Sequence, residues 1–117
     1  MKLVIFGSRT ITDMAELEKA MEEWGRLAEV AEIVSGAAAG VDTLAVEYAE
    51  KHGLHCELFP ADWVRHKRKA GPIRNEQMAW YADFGVAVWD GKSRGTEHMI
   101  GLMEGRVFVR IVGETAV

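Results

Sequence analysis

The stretch Glu32-Ile33-Val34-Ser35-Gly36-Ala37-Ala38-Ala39-Gly40-Val41-Asp42 carries the reading of the fold. Glu32 to Ser35 is a short run with branched residues, closed by Gly36, and reads as a strand. Beyond the glycines, Val41, Leu44, Ala45, Tyr48 and Ala49 recur at three- and four-residue steps, the spacing of one helix face. A helix is therefore expected from Asp42 to His52, with Gly53 as its C′ residue. Strand, glycine turn and helix form one unit, and the same unit recurs on either side.

Upstream, Lys2-Leu-Val-Ile-Phe6 is a buried strand bounded by Gly7. The spacing of Met14, Leu17, Met21, Trp24 and Ala28 predicts a helix from Asp13 to Ala28, with Asp13 and Glu16 as a capping-box-like start. Downstream, His55-Cys-Glu-Leu-Phe59 is a third strand, stopped by Pro60. The basic stretch from Asp62 to Gly71 shows no period. Pro72 is expected to open a third helix, with Met78, Tyr81 and Ala82 inward. Gly85 to Trp89 is a fourth strand, Thr96 to Glu104 a fourth helix with Ile100 and Met103 inward, and Val107 to Val112 a fifth strand. The last few residues are expected to fray.

Strands without clean alternation, separated by helices, imply a parallel sheet covered on both faces. The expected architecture is α/β: three layers, five mainly parallel strands and about four helices, in one domain spanning residues 1–117. The 117 residues are 49% hydrophobic and 27% charged, enough apolar content to exclude disorder as the main state. No apolar run approaches the roughly 20 residues of a membrane span. Met1 to Phe6 is too short for a signal peptide, so a soluble, cytoplasmic protein is expected. One cysteine, Cys56, excludes an internal disulfide and a Cys-based zinc cluster. It lies within a strand and reads as a small buried hydrophobe. His52, His55, His66 and His98 show no metal-ligand spacing, and no metal is expected.

The net charge of −4 is segregated, with −7 in residues 1–64, +4 in residues 65–94 and −1 in residues 95–117. That distribution excludes a general nucleic-acid coat but suits an anion held in one place. In an open parallel sheet, ligands bind where the strands end, at the point where strand order reverses. Gly7-Ser8-Arg9-Thr10 follows the first strand, Gly36 to Asp42 the second, Pro60 to Asn75 the third, and Asp90-Gly91-Lys92-Ser93-Arg94-Gly95-Thr96 the fourth. Glycines admit a phosphate close to backbone N–H groups. Helix N-termini add partial positive charge. Arg9, Arg74 and Arg94 supply forked donors. Neither the dinucleotide fingerprint nor the P-loop triplet is present.

These strings, together with Phe59-Pro60-Ala61-Asp62-Trp63 and Ala70-Gly71-Pro72-Ile73-Arg74-Asn75, resemble the YspA/YpsA-related branch of the SLOG superfamily. That superfamily joins the DNA-processing protein Smf/DprA and the LOG phosphoribohydrolases. The resemblance runs from Met1 to about Val112 and implies a Rossmann-like fold that binds nucleotides or nucleotide-derived ligands. Many members of the branch look phage- or mobile-element-associated. The LOG motif continues Gly-Thr-x-x-Glu after Gly95-Thr96, but the Glu position here is Met99. Glu97 lies two residues away, about 200° around a helix.

The expected ligand site comprises Gly7, Ser8, Arg9, Gly36, Gly40, Asp42, Trp63, Arg74, Asn75, Asp90, Gly91, Ser93, Gly95 and Thr96. The ligand class is an ADP-ribose- or NAD-like compound or a signalling nucleotide, sensed or sequestered. Asp42 and Asp90 read either as caps or as acceptors for ribose hydroxyls. Arg74 is expected in a helix's first turn, against the dipole preference, where a bound anion accounts for it. Trp63 reads as a base-stacking residue or a lid over the core. The alternatives are an N-glycosidic-bond hydrolase using Asp42, Asp90 or Glu97, and a single-strand nucleic-acid binder using residues 65–69 and Trp63. A homo-oligomer, dimer or tetramer, is expected, with Trp24 or Trp80-Tyr81 as candidate contact surface.

Overall fold

A computed structural model describes residues 1–113 of the chain. The expected fray of the last residues lies outside them. The strands are β1 (Lys2–Gly7), β2 (Glu32–Ser35), β3 (His55–Leu58), β4 (Phe84–Trp89) and β5 (Val107–Ile111). They form one sheet in the order β3-β2-β1-β4-β5. Every pairing is parallel. Strand order reverses between β1 and β4, so the loops leaving those two strands diverge and leave a crevice.

The helices are α1 (Met14–Trp24), α2 (Val41–Lys51), a single turn α3 (Trp63–His66), α4 (Ala70–Tyr81) and α5 (Arg94–Leu102). Strand alternation divides the core. Leu3, Ile5 and Ile33 pack with α1 and α2 on one face, around Leu17, Met21, Leu44 and Tyr48. Val4, Phe6 and Val34 face the other side with Met78, Met99 and Met103 of the α4 and α5 segments. Arg110 of β5 ties the first layer down through Glu16 and Glu23 of α1.

Several element boundaries differ from the sequence expectation, each for a local reason. Helix α1 ends at Trp24, not Ala28, because Gly25 turns left-handed at φ 72° and its N–H closes on the Met21 carbonyl. Ala28 is exposed in a separate 3-10 turn. Trp24 is a core residue stacked on Phe84, not surplus surface. The unpatterned basic stretch holds α3, capped by Asp62 through Arg65 N–H, and a 3-10 turn at Lys67–Lys69. That turn runs into α4, which starts at Ala70 rather than Pro72. Helix α5 starts at Arg94 behind Ser93, and Met99 rather than Ile100 is the fully buried partner of Met103.

Candidate functional site

A cavity of about 590 Å³ opens at the crevice, between the loops that leave β1 and β4 and the starts of α4 and α5. Its size lies in the range of small-molecule sites. Of the residues expected at the site, Gly7, Arg9, Asp42, Trp63, Arg74, Asn75, Ser93, Gly95 and Thr96 line it. Ser8, Gly36, Gly40, Asp90 and Gly91 do not line it. They shape it rather than face it.

Ser8 is fully buried. Its Oγ accepts from Asp90 N–H and shares a hydroxyl–hydroxyl hydrogen bond with Ser93 Oγ, both at 2.9 Å. Its carbonyl accepts from Ile11 and Val41 N–H, each at 3.3 Å. One serine therefore fastens the loop after β1 to the loop after β4 and to the start of α2. Gly7 has no room for a side chain, because a Cβ would fall on the Val88 carbonyl of the neighbouring strand.

Asp90 organises the second of these loops. Its Oδ1 accepts from Lys92 N–H at 2.8 Å, Ser93 N–H at 2.8 Å and Ser93 Oγ–H at 3.0 Å. Gly91, at φ 78°, makes the turn between them. Donation by Ser93 N–H, then by Lys92 N–H, holds the carboxyl at about 2, below its ordinary 3.8. A depressed carboxyl contributes stability above its unfolded value and loses it as pH falls through the folded value. Urea titrations of the wild type should therefore show stability falling between pH 4 and pH 2. Asp90→Asn should flatten that acid limb.

The loop after β2 closes inward on itself. Ala37 N–H donates to Ser35 Oγ and Ala38 N–H to Asp42 Oδ2, each at 3.2 Å. Those two donors are turned to the protein rather than to a ligand. Gly40, not Asp42, is the N-cap of α2. Asp42 sits one residue into the helix, almost fully buried, with its carboxylate at the cavity wall. Burial raises its carboxyl above the ordinary range. Ala38 N–H, Arg74 and Arg9 act in the opposite direction.

Arg74 lies in the second turn of α4, buried, not in the first turn. Its Nη1 donates to the Gly36 carbonyl at 2.5 Å and its Nε to Asn75 Oδ1 at 3.0 Å. A Cβ at Gly36 would lie 2.6 Å from Arg74 Nη1 and 2.7 Å from Asp42 Oδ2, so glycine there lets the two opposite charges approach. Burial lowers the guanidinium's pKa, and Asp42 counters it. Because Arg74 fixes the Asn75 carbonyl oxygen, the Asn75 amide nitrogen is left to the Gly95 carbonyl and His98 Nδ1, each at 3.3 Å. His98 Nδ1 accepts, which puts the proton of the neutral ring on Nε2.

Arg94, expected as a forked donor, lines the cavity; so do His98, Thr10, Phe6, Met78 and Met99, which were not among the expected site residues. The three methionine and phenylalanine side chains make an apolar wall. Helical register was the available signal for His98, since it stands three residues from Gly95, but the sequence weighed it only as a metal ligand. Arg9 and Arg94, which also line the cavity, are exposed. The N–H groups of the first turn of α5, at Gly95 and Thr96, have no intrahelical acceptor. Trp63 is 51% exposed and stands at the mouth. The site thus offers three guanidiniums, one imidazole, open helix donors and one carboxylate against an apolar, aromatic-edged surface.

Among the described residues no helix is long and apolar enough to cross a membrane. No solved structure matches the chain. The Gene 61 protein of Mycobacterium phage D29 is 35% identical over 104 residues, covering 83% of each chain. The model of the YspA, cpYpsA-related SLOG family matches residues 1–66. That match takes in the loops after β1 and β2 and the segment up to α3, the half of the crevice that holds Gly7, Arg9, Asp42 and Trp63. On both counts the chain belongs to the YspA, cpYpsA-related SLOG family.

Proposed function

We propose that the cavity binds a nucleotide or nucleotide-derived ligand, such as an ADP-ribose- or NAD-like compound or a signalling nucleotide, and that the protein senses or sequesters it. The observation that carries this reading is the pairing of cations with an apolar wall in one cavity at the strand-order reversal. Arg9, Arg74 and Arg94 meet Phe6, Met78, Met99 and Trp63 there. Phosphate suits the arginines and the open N–H groups of α5. A base or ribose face suits the apolar wall and Trp63. The family supports the same class of ligand, and similarity to a phage protein suits a role in which a host nucleotide is read or withheld. We further propose that residues 1–117 act as a single domain, in the cytoplasm, as a homodimer or homotetramer. Trp80 on α4, 90% exposed, is the candidate contact.

Thermal shift with ADP-ribose, NAD, AMP and cyclic nucleotides tests the reading. A ligand at 100 times its dissociation constant adds about 2.7 kcal/mol, a rise of several degrees for a chain of this size. The absence of a shift with every nucleotide, together with no co-purifying ligand in native mass spectrometry, overturns it.

One observation favours cleavage as a second reading. Met99 is buried at the cavity wall where the LOG motif places its carboxylate, and Glu97 is exposed outside the lining. Asp90 is spent on its loop. Asp42 alone remains in the cavity, with a raised pKa that suits a proton donor. Chromatography of nucleoside monophosphates and NAD after incubation decides between the readings. Release of free base that is lost in Asp42→Asn establishes hydrolysis, and intact nucleotide leaves binding alone. Single-strand nucleic-acid binding draws on residues 65–69, which are largely exposed beside Trp63. It requires affinity that falls steeply with salt.

A further inference from the structure

The sheet carries a second group of chemistry at the edge opposite the cavity. Glu32 opens β2 and His55 opens β3, and the parallel register sets them side by side. Glu57 follows His55 by two residues and so projects from the same face. Cys56, between them, points to the other face and packs against the α1–α2 layer. One donor atom from each of Glu32, His55 and Glu57 lies within 4.8 Å of the other two. None of the three lines the cavity.

Tyr81, the last residue of α4, donates its hydroxyl to Glu32 Oε2. This is the contact a positioning partner makes to a metal-ligating carboxylate. His55 Nε2 and Glu57 Oε2 are hydrogen-bonded at 2.9 Å, a contact that a bound ion would replace. The Lys2 ammonium is the near cation, but it sits over the Tyr81 ring, 3.9 Å from the centroid. Two carboxylates held on neighbouring strands repel each other unless a cation lies between them.

We propose that Glu32, His55 and Glu57 form a binding site for a divalent transition-metal ion, with Tyr81 orienting Glu32. One imidazole and two carboxylates make a nitrogen–oxygen donor set that suits Zn²⁺ and its neighbours Co²⁺ and Ni²⁺. It lacks the soft sulfur that Cu(I) requires. With metal–ligand bonds of roughly 2.1 Å, tetrahedral donors stand about 3.4 Å apart, within the observed spacing after small rotamer changes of exposed side chains. The fourth position is left to water, and no covalent chemistry is implied. The frame is a pair of hydrogen-bonded strands, so the ligands are preset rather than gathered from loops.

The test uses untagged, chelator-treated full-length chain, titrated calorimetrically with Zn²⁺ and by visible absorption with Co²⁺. One ion per chain is expected, with a Co²⁺ spectrum of low coordination number. His55→Ala and Glu57→Gln should each weaken binding by at least tenfold, and Tyr81→Phe by about tenfold, the usual effect of removing an orienting partner. All three side chains are partly exposed, so the variants should fold, and unchanged circular dichroism checks this. Arg9→Ala, at the cavity, should leave metal binding unchanged. A non-saturating isotherm, or one-to-one binding that survives both His55→Ala and Glu57→Gln, overturns the proposal.

Discussion

Gly40→Ala should destabilise the protein by about 4 kcal/mol, through two effects that act together. Gly40 stands at φ 74° and ψ −129°, a conformation essentially confined to glycine. Its Cα also presses on the chain leaving β1. A Cβ would fall on the Ser8 carbonyl oxygen and within 2.5 Å of Arg9 Cα. Both neighbours are backbone atoms, so no side chain can turn aside. The Ser8 carbonyl is moreover the acceptor for Ile11 and Val41 N–H, so moving it breaks bonds in two elements. Urea denaturation should show the midpoint lowered by roughly 2 M with an unchanged slope. Gly53→Ala is the control. Gly53 has φ 64° but nothing within 4 Å of its Cβ position. It should lose only about 1 kcal/mol, the cost of the left-handed conformation itself.

Arg74→Leu should sharply weaken ligand binding and also weaken the fold. The substitution leaves the Gly36 carbonyl and Asn75 Oδ1 without their donor and the buried Asp42 without its nearest cation. Uncompensated buried polar and charged groups of this kind cost about 3 kcal/mol. Binding suffers twice. The cavity loses a cation, and Asn75 is freed to rotate, so His98 loses the contact that fixes its tautomer. Loss of a buried, hydrogen-bonded charge lowers affinity about a hundredfold or more. Calorimetric titration with whichever nucleotide shifts the melting curve measures it. Arg74→Lys keeps the charge but cannot span Gly36 and Asn75 together. It should recover part of the stability and little of the affinity.

The β/α alternation was readable because buried strands and amphipathic helices write different periods into the chain. Tyr48 and Ala49 landed on the inner face of α2, as their spacing requires. Boundaries were less legible where conformation rather than pattern decides. Gly25 ends α1 by turning left-handed, yet the apolar period carries on to Ala28. Residues 62–69 have no period because α3 is a single turn, too short to express one. At the site, the loops could be named from the sequence, but not which of their side chains face outward. Ser8 and Asp90 look like ligand groups in one dimension and are consumed by each other's loops in three. His98 enters the cavity through a contact with Asn75 that spans 23 residues. Glu32 meets His55 only because β2 and β3 lie side by side.

The fastening at Ser8 has a kinetic consequence. With two loops and a helix start clamped to one buried hydroxyl and its carbonyl, three sides of the mouth form a fixed jaw. The fourth side is the start of α4 together with α3 and its 3-10 turn, which are short and largely exposed. A ligand entering a fixed jaw meets groups that are already aimed, so capture loses little chain freedom on three sides. If a nucleotide binds as proposed, a slow step after encounter is expected on the fourth. Trp63 sits on that short, exposed turn, so its fluorescence is the natural probe of it.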